Sequence, residues 1–438
     1  MYTGLFCSIF YSSFCEVMVF LSFLVPLSMI LMYKNNIYLE DVFSFCNDMN
    51  MALIFMSVAL TLLIMLASWA ISSSLYKSTV LVLLLILSIC FSTSNLLWFY
   101  IMFESSLLPI LFMIIGWGYQ PERLQAGLYM ILYTVFGSLP LLIIIMYILW
   151  EFNSMNLYMM MTIMKLSLGG LMAFGFLAFL VKLPVYSMHT WLPKAHVEAP
   201  LGGSMILAGV LLKLGGYGLY IFSCMVGFMN TNIYFMFLIC LAMWGGFIAS
   251  LVCMAQSDIK SMIAYSSIVH MSLVVLGCLS NTSWGFSCAL ITMVAHGWTS
   301  SALFLIAYIT YEKINSRSFN YTKGILNVFP VLSFFWFILV SVNMAVPPTI
   351  NLVGELCSIP VAMWMNIWML LVLLMLMFIS VAYNMYLYSK VNHGPSSTLM
   401  LSSQGFSMRA MMSMLGHLLP LLMLFSMQLL SPYTEICM

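Results

Sequence analysis

Runs of about 20 apolar residues recur along almost the whole chain, and this one feature leaves few folds open. Wound as an α-helix, a run of that length crosses the roughly 30 Å hydrocarbon core of a bilayer. Inside lipid, every backbone N–H and C=O needs a partner within the protein, so spanning segments are helices or closed barrels. Nothing here alternates apolar and polar with the period of 2 that barrel strands show. The chain therefore reads as an all-α, polytopic membrane protein. Of its 438 residues, 64% are hydrophobic and 6% charged, against about 25% charged in a soluble domain. The N-terminal run leads straight into further spans, so it is not read as a cleaved signal peptide.

A net charge of +1 argues against nucleic acid or a strongly acidic partner. The 11 cysteines show no C-x-x-C or Cys/His ligand spacing. They read as small packing residues and not as metal or iron–sulfur ligands. The 43 methionines stand mostly where Ile or Leu would serve equally well. A genetic code that reads an isoleucine codon as Met, as in animal mitochondria, produces that pattern and points to an organelle-encoded protein.

Polar breaks divide the chain into about fourteen spans, near residues 2–12, 14–33, 50–71, 76–93, 95–115, 123–150, 166–186, 199–226, 231–254, 259–280, 284–311, 325–361, 363–389 and 408–430. Glu16 follows the first so closely that it blurs the boundary between the first two. No linker or soluble domain intervenes. If the spans alternate, Lys77, Arg123, Lys194, Lys260, Lys313, Arg317, Lys323, Lys390 and Arg409 fall on one side, and only Lys34 and Lys165 on the other. The positive-inside rule assigns the first side to the cytoplasm or matrix, with both termini opposite.

Two spans carry breaks. Pro184 follows Lys182 in the seventh, and Pro347 and Pro348 precede Glu355 in the twelfth. Each proline withholds an N–H from the carbonyl four residues earlier, here Leu180, Asn343 and Met344. The breaks lie five spans apart, an odd number, so spans 4–8 and 9–13 would be inverted repeats with one discontinuous helix each. Transporters build their sites at such helices. The expected organisation is N-terminal helices over 1–75, a first repeat over 76–226, a second over 231–389, and a C-terminal helix within 390–438.

An ionisable residue at a helix centre costs about 2.5–3.5 kcal/mol on insertion scales and marks function by default. Glu104, Lys182, Lys213 and Glu355 meet this description. Each has a plainer alternative: Glu104 bonded to Ser105 or Ser106, Lys182 snorkelling, Lys213 snorkelling too, although it lies too deep to do so easily, and Glu355 a helix-breaking polar cap. A Glu on the fifth span and a Lys on the seventh can pair across neighbouring helices, which makes their protonation interdependent. The four together read as a chain of protonatable sites. His270 and His296 are relay candidates because imidazole titrates nearest neutral pH, or else ordinary hydrogen-bonded interior residues. His189 and His196 lie seven apart in a Trp- and Pro-rich turn, without metal spacing, and His196 with Glu198 is expected to fix that loop. His393, His417, Asp258, Lys260, Glu312 and Arg317 read as solvated span ends, and Glu122–Arg123 as a loop ion pair with Pro121 starting a helix.

Five stretches carry a resemblance: "FESSLLPILFMIIGWGYQPERLQAGLYMILYT", "AFLVKLPVYSMHTWLPKAHVEAPLGGSMILAGVLLKLGGYG", "DIKSMIAYSSIVHMSLV", "AHGWTSSALFLIAYITYEK" and "MAVPPTINLVGEL". Over roughly residues 90 to 360 the chain resembles the antiporter-like, proton-pumping membrane subunits of respiratory complex I, the chain 4 family of NADH–ubiquinone oxidoreductase. The resemblance implies fourteen helices with two inverted five-helix repeats. It implies Glu104 and Lys182 as an essential ion pair, Lys213 as the central lysine, Glu355 as the terminal carboxylate and His296 on the polar axis, with His270 a further candidate. It also implies no cofactor in this chain, with NAD, FMN, iron–sulfur clusters and ubiquinone held by other subunits. The implied partners are other membrane-arm subunits, including neighbouring antiporter-like ones, together with lipids, protons and internal water. The implied location is the mitochondrial inner membrane, with both termini on the intermembrane-space side. The chain departs from the family at Ser187, where Gly is usual, at Leu219 and Tyr220, where Arg is usual, and at Lys313 in Tyr311-Glu312-Lys313. The alternatives are a subunit of a multi-subunit sodium/proton antiporter and a structural spacer that has lost transport.

Overall fold

The computed structural model describes residues 2–9, 13–33, 47–69, 71, 73–152, 155–157, 171–226, 233–396 and 407–422. Its helices are α1 Tyr2–Ser8, α2 Phe14–Tyr33, α3 Asp48–Ala67, α4 Ser74–Ser92, α5 Leu96–Trp117, α6 Arg123–Phe152, α7 Leu171–Lys182, α8 Trp191–Glu198, α9 Leu201–Val226, α10 Ile233–Met254, α11 Ile259–Ser280, α12 Ser283–Ile314, α13 Pro330–Asn343, α14 Ile350–Met365, α15 Ile367–Asn392 and α16 Met408–Leu422. Among the described residues, nine helices are long and apolar enough to cross a membrane. The other five expected spans correspond to α1, α2, α16 and the two broken helices, whose halves are each too short alone. Lys34 and Lys165 lie outside the described residues, as does the end of the last expected span.

Local chemistry sets several boundaries. Glu16 belongs to a capping box at the start of α2: its backbone N–H donates to Ser13 Oγ (3.2 Å), and the Ser13 N–H donates to Glu16 Oε2 (3.4 Å). Helices α11 and α12 end on Asn281 and Asn315, both in the left-handed region (φ 50° and 57°) that Asn tolerates. Glu122 and Arg123 form no ion pair. Neighbouring residues on a helix point apart, and Arg123 instead donates to the Gly118 carbonyl (2.7 Å), closing the turn before α6.

Helix α12 is the centre of the bundle. Its apolar window is wholly buried, and it packs against α3, α9, α11, α13, α14 and α16. Helices α6 and α15 lie at the periphery and turn Phe136, Trp150 and Phe378 outward, the apolar surface that lipid covers.

At one end of the bundle the loops are laced together. Arg317 donates to the Val197 carbonyl (3.1 Å) and pairs with Glu198 (3.8 Å); Asp258 and Ser318 form a backbone bridge; the Tyr119 and Tyr311 rings meet at a tilt, 6.3 Å between centroids. Several cations of this end lie over rings, including Lys194 on Tyr129 (3.8 Å), Lys313 on Phe329 (5.6 Å) and Lys390 on Tyr386 (5.3 Å). Lys260, expected at a solvated end, is buried, because the Arg317 and Glu198 layer and the Tyr119 ring cover it. His417 is likewise buried: α16 turns it inward against Trp298, and its Nδ1 contacts the Ser413 carbonyl at 2.7 Å. His393 is exposed, as its position at a helix end predicts.

Candidate functional site

Both proline breaks exist, and at the first the structure shows how the freed backbone groups are re-satisfied. Helix α7 stops at Lys182, two residues before Pro184. The Leu180 carbonyl, denied the proline N–H, accepts from Val185 N instead (3.1 Å). The Val181 carbonyl accepts the Trp191 indole N–H (3.0 Å). Residues 191–198 are not a loop: they resume as α8, which packs between α6 and α11 and is largely buried. The Pro- and His-rich composition suggested a turn, but helix resumes because Pro193 lies in the first turn of α8, where a proline N–H is not needed. In the twelfth span, α13 ends at Asn343, and Ala345 takes a left-handed φ of 58°. Asn351 reaches back across the break and donates to the Val342 carbonyl (2.8 Å), stitching α14 to α13.

Lys182 stands at the first break. Its ammonium donates to the Phe103 carbonyl (2.8 Å) and lies over the Phe103 ring, 3.1 Å from the centroid. Glu104 is the next residue on α5. No direct ion pair joins the two, but Lys182 and Ser138 are the groups acting on the Glu104 carboxylate, whose Oε1 is buried without a hydrogen-bond partner. Ser105 and Ser106 bond carbonyls of their own helix, Met102 (3.0 Å) and Phe103 (2.7 Å), and so do not cap Glu104. At this level α5 is interrupted, with Ser106 joining its two pieces. Pro109 withholds an N–H from the Ser105 carbonyl there.

Lys213 is fully buried on α9, just past a π turn at Leu207–Leu211. Such wide turns recur at functional sites. Leu212 N–H donates to Leu207, five residues back, and the Ala208 carbonyl accepts the Lys213 ammonium at 2.6 Å. The same Nζ lies 2.9 Å from Nδ1 of His296 on α12. The His296 ring is 5.4 Å from that of His270 on α11, centroid to centroid. Lys213, His296 and His270 thus form one cluster across three helices. Glu355 is buried on α14. Its neighbourhood is fastened to α12 by Cys288 Sγ on the Gly354 carbonyl (3.3 Å), and Tyr383 of α15 is near enough to interact with it electrostatically. The Glu104–Lys182 neighbourhood, the central cluster and Glu355 are three separate groups of ionisable residues inside the bundle. The packing of Gly215 against Lys182 brings the first two onto adjoining faces.

His196 behaves otherwise than expected. Its ring stacks on Phe304 (4.6 Å, 5° between planes), and neither ring nitrogen has a protein hydrogen-bond partner. Glu198, through Arg317, does tie the segment down. The polar residues that sequence reasoning missed are Asn343, Tyr383 and Asn384, all buried within the membrane-spanning bundle. Two asparagines in otherwise apolar helices were the available signal.

Fold and buried charges together define a class. Residues 93–380 match the family model described as "NADH:quinone oxidoreductase/Mrp antiporter, TM". The fold is similar to a chain of "Respiratory complex I from Thermus thermophilus with bound NADH" (TM-score 0.88, 20% identity, covering 100% of this chain and 98% of that one). It is also similar to a chain of the Mrp complex from Dietzia sp. DQ12-45-1b (TM-score 0.80, 16% identity, 88% and 76% covered). The NADH-ubiquinone oxidoreductase chain 4 of Albinaria caerulea is 45% identical over 422 residues, 94% of this chain and 95% of that protein. The chain belongs to the NADH–ubiquinone oxidoreductase chain 4 family. It is a proton-translocating, membrane-arm subunit of respiratory complex I and a multi-pass inner-membrane protein.

Proposed function

We propose that protons move through this subunit along Glu104, Lys182, Lys213, His296, His270 and Glu355, driven by redox chemistry in other subunits. The observation that carries the reading is the buried contact between Lys213 and His296 at 2.9 Å. A lysine and an imidazole at that separation share one hydrogen bond, so a proton on either group is held between them and can pass along it. Burial in the bundle keeps both groups from exchanging with bulk water, which a gated path requires. Moving one charge against 100 mV costs about 2.3 kcal/mol, so the energy must come from outside the chain.

In this reading the chain has no redox site of its own. NAD, FMN, iron–sulfur clusters and ubiquinone are bound by partner subunits, and neighbouring antiporter-like subunits flank it. Residues 76–226 and 231–389 act as two inverted repeats, with the Lys182 and Glu355 breaks in corresponding positions. Both termini face the intermembrane space, opposite the cation-rich end. Replacing Glu104→Gln or Lys213→Met in the assembled complex should reduce proton pumping in closed vesicles to about a tenth of wild type or less, the scale of a lost proton-transfer group. A normal proton-to-electron ratio in either variant would overturn the assignment.

A further inference from the structure

The structure contains a second polar feature that the axis does not use. Asn343, the last residue of α13, donates from Nδ2 to Oδ1 of Asn384 on α15 (2.9 Å), and Asn384 Nδ2 donates to the Ser380 carbonyl (2.9 Å). Asn343 also faces His270, whose Nε2 is buried without a partner of hydrogen-bond geometry. Beside the amide pair is a small cavity of about 10 Å³, lined by Ser266, Asn343, Tyr383 and Asn384 together with apolar residues that include Met262 and Leu387. The Tyr383 hydroxyl is buried and likewise has no partner of hydrogen-bond geometry. That space suits about one water molecule, and the lining offers the two to four polar partners a buried water needs.

The lining residues fix where the cavity lies along the bundle. On α11, Met262 and Ser266 precede His270 by eight and four residues, about 12 and 6 Å toward the helix start beside Lys260. On α15, Leu387 follows Asn384 toward Lys390. The cavity therefore sits between His270 and the cation-rich end of the bundle. Burying two paired amides and a phenol in apolar helices is costly without compensation, and the fold places them against a break and a histidine.

We propose that Asn343, Tyr383 and Asn384 form a polar side branch through which a proton passes between His270 and the cation-rich end, with the amides positioning a cavity water and the Tyr383 hydroxyl relaying. The proposal rests on the proton path through His270 described above. It is tested in the assembled complex in closed vesicles, measuring pumping, electron transfer and assembly on native gels. Asn384→Leu keeps the volume and removes the polarity; Asn384→Ser keeps polarity and loses packing. Coupled pumping should fall about tenfold or more with Leu and stay within about twofold of wild type with Ser. Wild-type pumping with Leu, or an equal loss with both, would overturn the branch. If Asn384→Leu does not assemble, Tyr383→Phe decides, since it deletes only the hydroxyl: a pumping loss of about threefold or more supports the relay, and no loss overturns it. Lys213→Met in the same preparation separates the two readings. Normal pumping there refutes the axis, whereas lost pumping there beside wild-type behaviour in Asn384→Leu refutes the branch alone.

Discussion

Trp191 offers a measurement of what holds the first break together. Its indole N–H is the partner of the Val181 carbonyl (3.0 Å), and Trp191 and Val181 are both buried. Trp191→Phe retains most of the ring and removes the donor, leaving a buried carbonyl unpaired at a cost of about 1–3 kcal/mol. Trp336 is a matched control: it too is fully buried, but its Nε1 has no hydrogen-bond partner. Trp336→Phe should carry the packing loss alone, so the difference between the two isolates the hydrogen bond. Converted to local opening, about 1–3 kcal/mol is a factor of roughly 5–150 in the open population. Hydrogen exchange reads this directly through the amides of Leu183 and Val185, which are bonded to Phe179 (2.7 Å) and Leu180 (3.1 Å). Exchange in peptides covering 183–190 should rise by that factor in Trp191→Phe, and peptides around Trp336 should change far less in its own variant. Unchanged exchange at the break, or an equal rise around both tryptophans, would refute the reasoning.

Two further outcomes follow from the same backbone. Ser187 has a φ of 92°, a conformation that favours glycine. Ser187→Gly should relieve about 1–2 kcal/mol of strain against about 0.5–1 kcal/mol of added unfolded-chain entropy, slightly slowing thermal inactivation of the complex; faster inactivation would contradict this. Arg317→Ala should leave the Glu198 carboxylate and the Val197 carbonyl under-satisfied and destabilise by about 1–3 kcal/mol. Arg317→Lys should recover part of that, because lysine keeps the charge without the fork; thermal inactivation matching wild type in both would show that the cross-link is idle.

Hydropathy and proline made much of this architecture legible. Apolar run length located the helices within a few residues, and Pro184, Pro347 and Pro348 marked both discontinuous spans. Glu104, Lys182, Lys213 and Glu355 announced themselves as charges in apolar surroundings. What stayed hidden depended on neighbours distant in sequence. Lys260 looked solvated because the residues that bury it are 119, 198 and 317. His417 looked terminal because nothing local says that α16 turns it toward Trp298. The segment 191–198 looked like a loop because its composition is polar, whereas its helical state depends on packing against α6 and α11. The Ser187 departure from glycine was visible, but only the positive φ says why glycine is usual there.

The π turn in α9 has a consequence for how that span is organised. An α-helix advances about 100° per residue, and a single wide turn accommodates one residue more than the regular winding would. Everything after Leu211 is therefore out of phase with everything before Leu207 by about one residue's rotation. Gly202 faces Tyr76 on one side of the slip, and Gly216 faces Met293 on the other, so no single helical wheel describes the span. Deleting one residue within Leu207–Leu211 would remove the residue that the wide turn absorbs and leave Lys213 directed at His296, whereas winding the same residues as a regular helix would swing Lys213 about 100° away from it. The Lys213 site is made by the offset between two helical segments, and belongs to neither segment alone.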